Sequence, residues 1–233
     1  MIKVENIDVH GMKHAVKIAM RHPMCSYDKS DSTGIDYYED GVYQFHMGEN
    51  DLDLAQRLYK SGTEHRTYAR QIYVWMEIEA PLYFWKEADR YTIGKSQVST
   101  STMHKIHAKE FTLDDFSHEH LLDDDENEEE MVGYNGDEYM ETAVGVLEWL
   151  VCGLNKFRGL FIKTKLKKYW WQLIQLLPSS YNQRRSICMS YEVVFKIIHE
   201  RTGHKLDEWN TLVDILEGLP YVKEIMGGGE LNV

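Results

Sequence analysis

The stretch that most constrains the fold is Ile72–Ile78, read onward into Glu79-Ala80-Pro81. Ile72, Val74, Met76 and Ile78 alternate with Tyr73, Trp75 and Glu77. Apolar side chains every second residue line one face of a pleated strand, and no helical period fits them. Pro81 has no N–H to continue a ladder, but its fixed φ suits the first turn of a helix. A strand-to-helix junction is therefore expected here. The charges that follow, Lys86, Glu87 and Asp89, are expected on the helix surface.

Around this anchor the chain reads as mixed α/β. Ile2–Val9 alternates like a short strand, and Gly11–Arg21 is expected to be a helix ended by Pro23. Asp40-Gly41 between aromatic runs predicts a hairpin turn. Asp51–Ser61 reads as a helix stopped by Gly62. The hydroxyl-rich segment from Gly94 to Phe111 is expected to be an irregular loop passing into a short helix. Four helices are then expected, over 137–157, 159–178, 184–203 and 205–220. No internal repeat or linker is visible. The expectation is a single domain spanning 1–233, with an acidic solvated loop at 123–130 and a flexible tail at 227–233.

Composition narrows function by exclusion. A net charge of −12 argues against broad nucleic-acid or anionic-membrane binding, while leaving room for a local basic pocket. Cys25, Cys152 and Cys188 lack CxxC spacing, so a reducing cytoplasm is expected. No window approaches a membrane span. There is no GxxxxGK[ST] and no GxGxxG after a strand, so neither a P-loop nor a dinucleotide fingerprint is present. His104 and His107, followed by His118, Glu119 and His120, carry metal-ligand types. With 11 His in the chain and no HExxH, chance clustering explains them and no metal site is expected. Ser96, Ser99 and Ser101 near His104 lack a nucleophile elbow, and no catalytic residue is assigned. Arg184 and Arg185 follow Ser179, Ser180 and Tyr181, with Arg201 further on; forked guanidiniums of this kind suit an anion.

Two segments carry a resemblance. The first is "HRTYARQIYVWMEIEAPLYFWKEADRYTIGKSQVSTSTM" and the second "LPSSYNQRRSICMSYEVVFKIIHERTGHKLDEW". In order and ungapped spacing they resemble the flavin-dependent thymidylate synthases, the thymidylate-synthase-complementing family. That family has an opening His, a strand ending in Ala-Pro, then a helix leading to R-H-R-x-x-S-x-N-E-x-S-x-R-Y. The His falls on His65, the Ala-Pro on Ala80-Pro81 and the first motif Arg on Arg90. In the second segment the family's Leu-Pro, Tyr and terminal Arg fall on Leu177-Pro178, Tyr181 and Arg201. The start "GMKHAVKIAMRHP" resembles the family's Ala-Ala-Arg opening.

The resemblance implies a single-domain α/β fold, a mixed or antiparallel sheet flanked by long helices, of thymidylate-synthase-complementing type. It implies FAD as hydride carrier, a dUMP-like pyrimidine nucleotide, and a homotetramer with sites between subunits. NADPH and methylenetetrahydrofolate follow if the family chemistry is kept. By position it implies FAD contacts at His65, Arg90, Gln97 and Thr100, and nucleotide contacts at Arg184 and Arg201. The motif departs from the family pattern at Tyr91, Thr92, Lys95, Gln97, Val98, Thr100, Thr102 and Met103, and later at Ser190 and Glu192. A neutral hydroxyl grips phosphate less well than a guanidinium, so altered methyl or one-carbon transfer is expected. The alternative is an inactive scaffold that serves as a binding protein. The small size and mixed motifs would suit a phage protein.

Overall fold

A computed structural model describes residues 2–39, 42–123, 131–133 and 140–227. The chain divides into two compact units that alternate along the sequence. The larger contains Ile2–Ile78, Ala88–Val98 and Arg185–Val233, and the smaller contains Glu79–Glu87 and Ser99–Arg184. The acidic run from 124 onward, the Asp40-Gly41 turn and the tail from 228 lie outside the described residues.

The larger unit opens with β1 (Lys3–His10), followed by a short α1 (Met12–His14) that widens into a π-helical turn over Ala15–Ala19. The expected regular helix is thus two short pieces, followed by a 3-10 turn at His22–Met24 that contains Pro23. The junction of β1 and α1 depends on Gly11, whose φ is +94°; a Cβ there would lie 2.2 Å from the carbonyl oxygen of Gln71. Gly11→Ala is expected to cost about 1–2 kcal/mol from the left-handed conformation alone. Urea denaturation of the purified variant checks this.

β2 (Thr33–Glu39) and β3 (Val42–His46) pair antiparallel on either side of the expected hairpin turn. α2 (Glu49–Lys60) follows, with Glu49 and Asp51 in its first turn, where carboxylates oppose the positive helix end. β4 (Tyr73–Pro81) is the strand read from the alternation: Val74, Met76 and Ile78 are buried, while Tyr73 and Trp75 are exposed. The helix after it, α3 (Leu82–Ala88), begins directly beyond Pro81.

Two strands depart from expectation. β5 (Lys95–Ser99) stands where an irregular loop was expected. Its residues are almost all exposed, so no apolar period marks it. β8 (Asn182–Ser190) occupies the first half of what reads as a helix from Arg184. Its period is two: Gln183, Ile187 and Met189 are buried, and the chain turns helical only at α7 (Tyr191–Arg201). A four-stranded sheet has the order β1-β4-β8-β5. α8 (Asp207–Glu217) and α9 (Val222–Met226) complete this unit.

The smaller unit holds α4 (Thr102–Lys105), the short pair β6 (Val132–Gly133) and β7 (Met140–Glu141), and the hairpin of α5 (Ala143–Thr164) and α6 (Lys167–Leu176). The break between these helices was expected near Gly159. It falls instead at Lys165, which takes the left-handed conformation at φ 57°. Gly159 sits in open space inside α5, so a glycine there ends nothing. Thr142 caps α5, its hydroxyl accepting from the Gly145 N–H at 3.0 Å. Thr142→Ala is expected to cost about 1 kcal/mol, read as a lower melting temperature. Leu147 and Leu154 of α5 pack with Leu173 of α6, Ile106, Phe111 and Phe116 as this unit's core. No helix among the described residues is long and apolar enough to cross a membrane.

Candidate functional site

The smaller unit contains a cleft of about 300 Å³. One wall is the hydroxyl run Thr100, Ser101 and Thr102, which leads into α4, and Lys105 and Lys109 continue from it. The facing strand β8 supplies Asn182 and Arg184, which share a face because strand residues two apart point the same way. The two walls are tied by backbone: Thr100 N–H donates to the Arg184 carbonyl at 2.9 Å. The Gln183 side-chain amide donates to the Thr100 carbonyl, also at 2.9 Å. Ser101 Oγ accepts from the His104 N–H at 3.0 Å and starts α4.

Glu79, Asp115 and Tyr181 also line the cleft. Asp115 is nearly buried. It accepts from the Thr112 N–H at 2.9 Å and pairs with Lys109. The hydrogen bond that Lys109 donates to Asp115 raises its pKa against the opposing effect of burial, so this ammonium stays charged. Burial, reinforced by the Asp115 charge, raises the Tyr181 phenol, which stays a donor at neutral pH. Lys105 is exposed and forms no ion pair among the described residues. The cleft thus offers an anion two ammoniums, a guanidinium and several hydroxyls. Its carboxylates, Glu79 and Asp115, can accept from ring N–H or sugar hydroxyl groups.

Of the six residues to which the resemblance assigns ligand contacts, Thr100 and Arg184 come together. His65, Arg90, Gln97 and Arg201 lie in the larger unit. Arg201 sits in an aromatic box, its guanidinium carbon 4.5 Å from the Trp209 ring centroid and 5.7 Å from that of Tyr91. Its Nε donates to the Tyr91 hydroxyl at 2.9 Å, and that hydroxyl donates to Glu200 at 2.8 Å. Tyr91, which stands where the family motif has His, is thus a structural partner of Arg201. The Gln97 amide donates to Asp89 at 2.7 Å, and Arg185 donates to the same carboxylate oxygen at 2.7 Å. Lys95 Nζ donates to the Ala88 carbonyl at 2.7 Å, and burial lowers its pKa. His65 and Arg90 are exposed, and neither forms an ion pair among the described residues. Glu192 lies 3.2 Å from Arg66. Burial raises its pKa, and the Arg66 charge offsets part of that rise.

Lys105, Lys109 and Asp115 were not singled out from sequence. The signal available was the i, i+4 spacing of the two lysines directly after a run of hydroxyls. Among the described residues no group of His, Cys, Asp and Glu is placed to hold a metal.

No family model matches the chain, and no curated protein matches it. Solved structures do. Thymidylate Synthase X (ThyX) from Helicobacter pylori, solved with FAD and dUMP, superposes with a TM-score of 0.61 at 18% identity, over 97% of each chain. A second structure of that enzyme with FAD and dUMP gives 0.59 at 17% identity, over 95% of this chain and 97% of that one. The UMP/dUMP methylase PolB from Streptomyces cacaoi, bound with 5-Br dUMP, gives 0.60 at 16% identity, over 93% of this chain and 88% of that one. At such identities the likeness is one of architecture: the chain has a ThyX-like fold, mixed α/β with antiparallel pairing and flanking helices.

Proposed function

We propose that this chain is a divergent flavin-dependent thymidylate-synthase-like protein that binds a pyrimidine nucleotide of the dUMP kind in the smaller unit's cleft. One observation carries the reading. Arg184, expected to touch the nucleotide, and Thr100, expected to touch FAD, converge with Lys105 and Lys109 on one concave site. The ThyX-like fold supports it. Arg184 and Lys105 grip the phosphate, restoring cationic character lost where the family motif's last Arg is Thr102. The hydroxyls of Thr100, Ser101 and Thr102 donate to the remaining phosphate oxygens. Tyr181 bounds the site with a raised-pKa hydroxyl that keeps its proton and orients the ring or sugar.

FAD is the cofactor this reading implies, and when bound it supplies the hydride. Arg90 and His65, exposed and without ion pairs among the described residues, fit contacts with its pyrophosphate. NADPH and methylenetetrahydrofolate enter if methyl or one-carbon transfer is retained. The same reading takes the protein as a cytoplasmic homo-oligomer, a tetramer by resemblance. A second reading, a catalytically inactive scaffold, is favoured by Arg201 and Gln97, whose polar groups are engaged within the chain.

The test is purification without added cofactor, followed by a visible spectrum and a nucleotide extract. A flavin absorption band sinks the scaffold reading. Colourless protein that takes up neither FAD nor dUMP at high micromolar concentration sinks the proposed function.

A further inference from the structure

A second concavity, of about 490 Å³, uses the other residues of the same segment. Met103, His104 and His107 line it, where Thr102, Lys105 and Ile106 line the first. Its remaining walls are Phe161 of α5, Lys167 and Trp170 of α6, and Lys165 at the turn between those helices. Among the described residues no carboxylate lines it. The Trp170 indole N–H donates to the Met103 carbonyl at 3.0 Å, which fixes the ring. The His107 ring stands edge-on to Phe161 at 4.9 Å, and its buried Nδ1 has no hydrogen-bond partner among the described residues. Lys167 Nζ lies 5.7 Å from the centroid of the Trp171 ring, which is exposed.

Further lysines are carried by the same two helices. Lys156, Lys163 and Lys168 are exposed and form no ion pair among the described residues. From Trp149 to Tyr191 the sequence contains no Asp or Glu, although the whole chain carries a net charge of −12. A single small anion cannot span lysines spread over the inter-helix turn and along two helices. A string of phosphates can, and unpaired bases present flat faces to recessed rings, as single-strand sites require.

We propose that this groove and the basic surface of the α5–α6 hairpin bind single-stranded nucleic acid, bases against Trp170, Phe161 and Trp171, and phosphates on Lys165, Lys167 and their neighbours. The site is separate from the nucleotide cleft and does not depend on its assignment.

The experiment is fluorescence anisotropy of a labelled oligothymidylate of about twelve nucleotides, within the range of known single-strand sites. Saturable binding that weakens steeply with added salt is the expected result. The doubly substituted variant Lys165→Glu/Lys167→Glu should bind at least about tenfold more weakly, since each lost phosphate contact removes a counterion-release contribution. Circular dichroism confirms that it folds, and its dUMP affinity should match that of the unsubstituted protein. Any of four results overturns the proposal. These are no binding at low salt, unchanged binding by the variant, displacement of the strand by thymidine monophosphate alone, and tighter attachment to phosphatidylserine vesicles than to the oligonucleotide.

Discussion

Replacing Asp51 by Asn lowers the unfolding free energy by about 3–5 kcal/mol, the cost of breaking a buried ion pair by removing one partner. Asp51 has no exposed surface and Arg21 is 5% exposed. The carboxylate accepts from Arg21 Nε at 2.8 Å, lies 2.6 Å from Arg21 Nη2, and accepts from the hydroxyls of Ser30 and Ser32 at 2.6 Å each. The amide cannot accept this set, and it leaves a guanidinium buried without its counter-charge. Arg21 stands at the position that resembles the family's Ala-Ala-Arg opening, so its commitment to Asp51 makes it a structural residue in this chain. Removing both partners, as in Arg21→Met/Asp51→Leu, should cost less than the two single changes summed.

The same pair makes stability depend on acid. Burial alone would raise the Asp51 pKa. The hydrogen bonds from Ser30, Ser32 and Arg21 outweigh it and hold the carboxyl below its ordinary value. Because the folded pKa is depressed, the contribution is fully present above the unfolded value of about 3.9 and is lost as pH falls through the folded one. Urea unfolding of the unsubstituted protein and Asp51→Asn should therefore show a wide gap at neutral pH that narrows on acidification. A gap that stays constant down to pH of about 2 contradicts the assignment.

The second large effect is on binding. Arg184→Ala should weaken dUMP by roughly 2–3 kcal/mol, or about 30-fold to 150-fold, because a charge-assisted pair on phosphate is lost. Arg184→Lys should recover part of this, since charge is restored without the planar fork. Lys105→Ala should cost less, its side chain being exposed and screened. Arg201→Ala should act differently. It empties the space between Tyr91 and Trp209, so it should lower stability more than affinity. Calorimetric titration and thermal unfolding on the same preparations separate the two.

What could be read in the sequence follows from how local each signal is. The β4 alternation and the Pro81 junction are contiguous, and both stand as expected. β8 was hidden by composition. Arg184, Arg185, Ser186 and Ser190 look like a polar helix start, although Ile187 and Met189 already carried the two-residue period. β5 has no buried face to betray it. At the site, Thr100 was marked by the family resemblance and Arg184 by a guanidinium following hydroxyls. Lys109 needed Asp115 to be seen as fixed, and that pairing exists only once the chain folds. The box around Arg201 is likewise tertiary, since Tyr91 is far away in sequence.

The claim that the smaller unit's cleft holds a pyrimidine nucleotide is tested most directly by a crystal structure of the protein soaked with dUMP. The account predicts density in the cleft, with phosphate oxygens within hydrogen-bond reach of Arg184 and Lys105 and beside Thr100–Thr102. A well-occupied nucleotide whose phosphate lies outside the cleft, with Arg184 untouched, would contradict it.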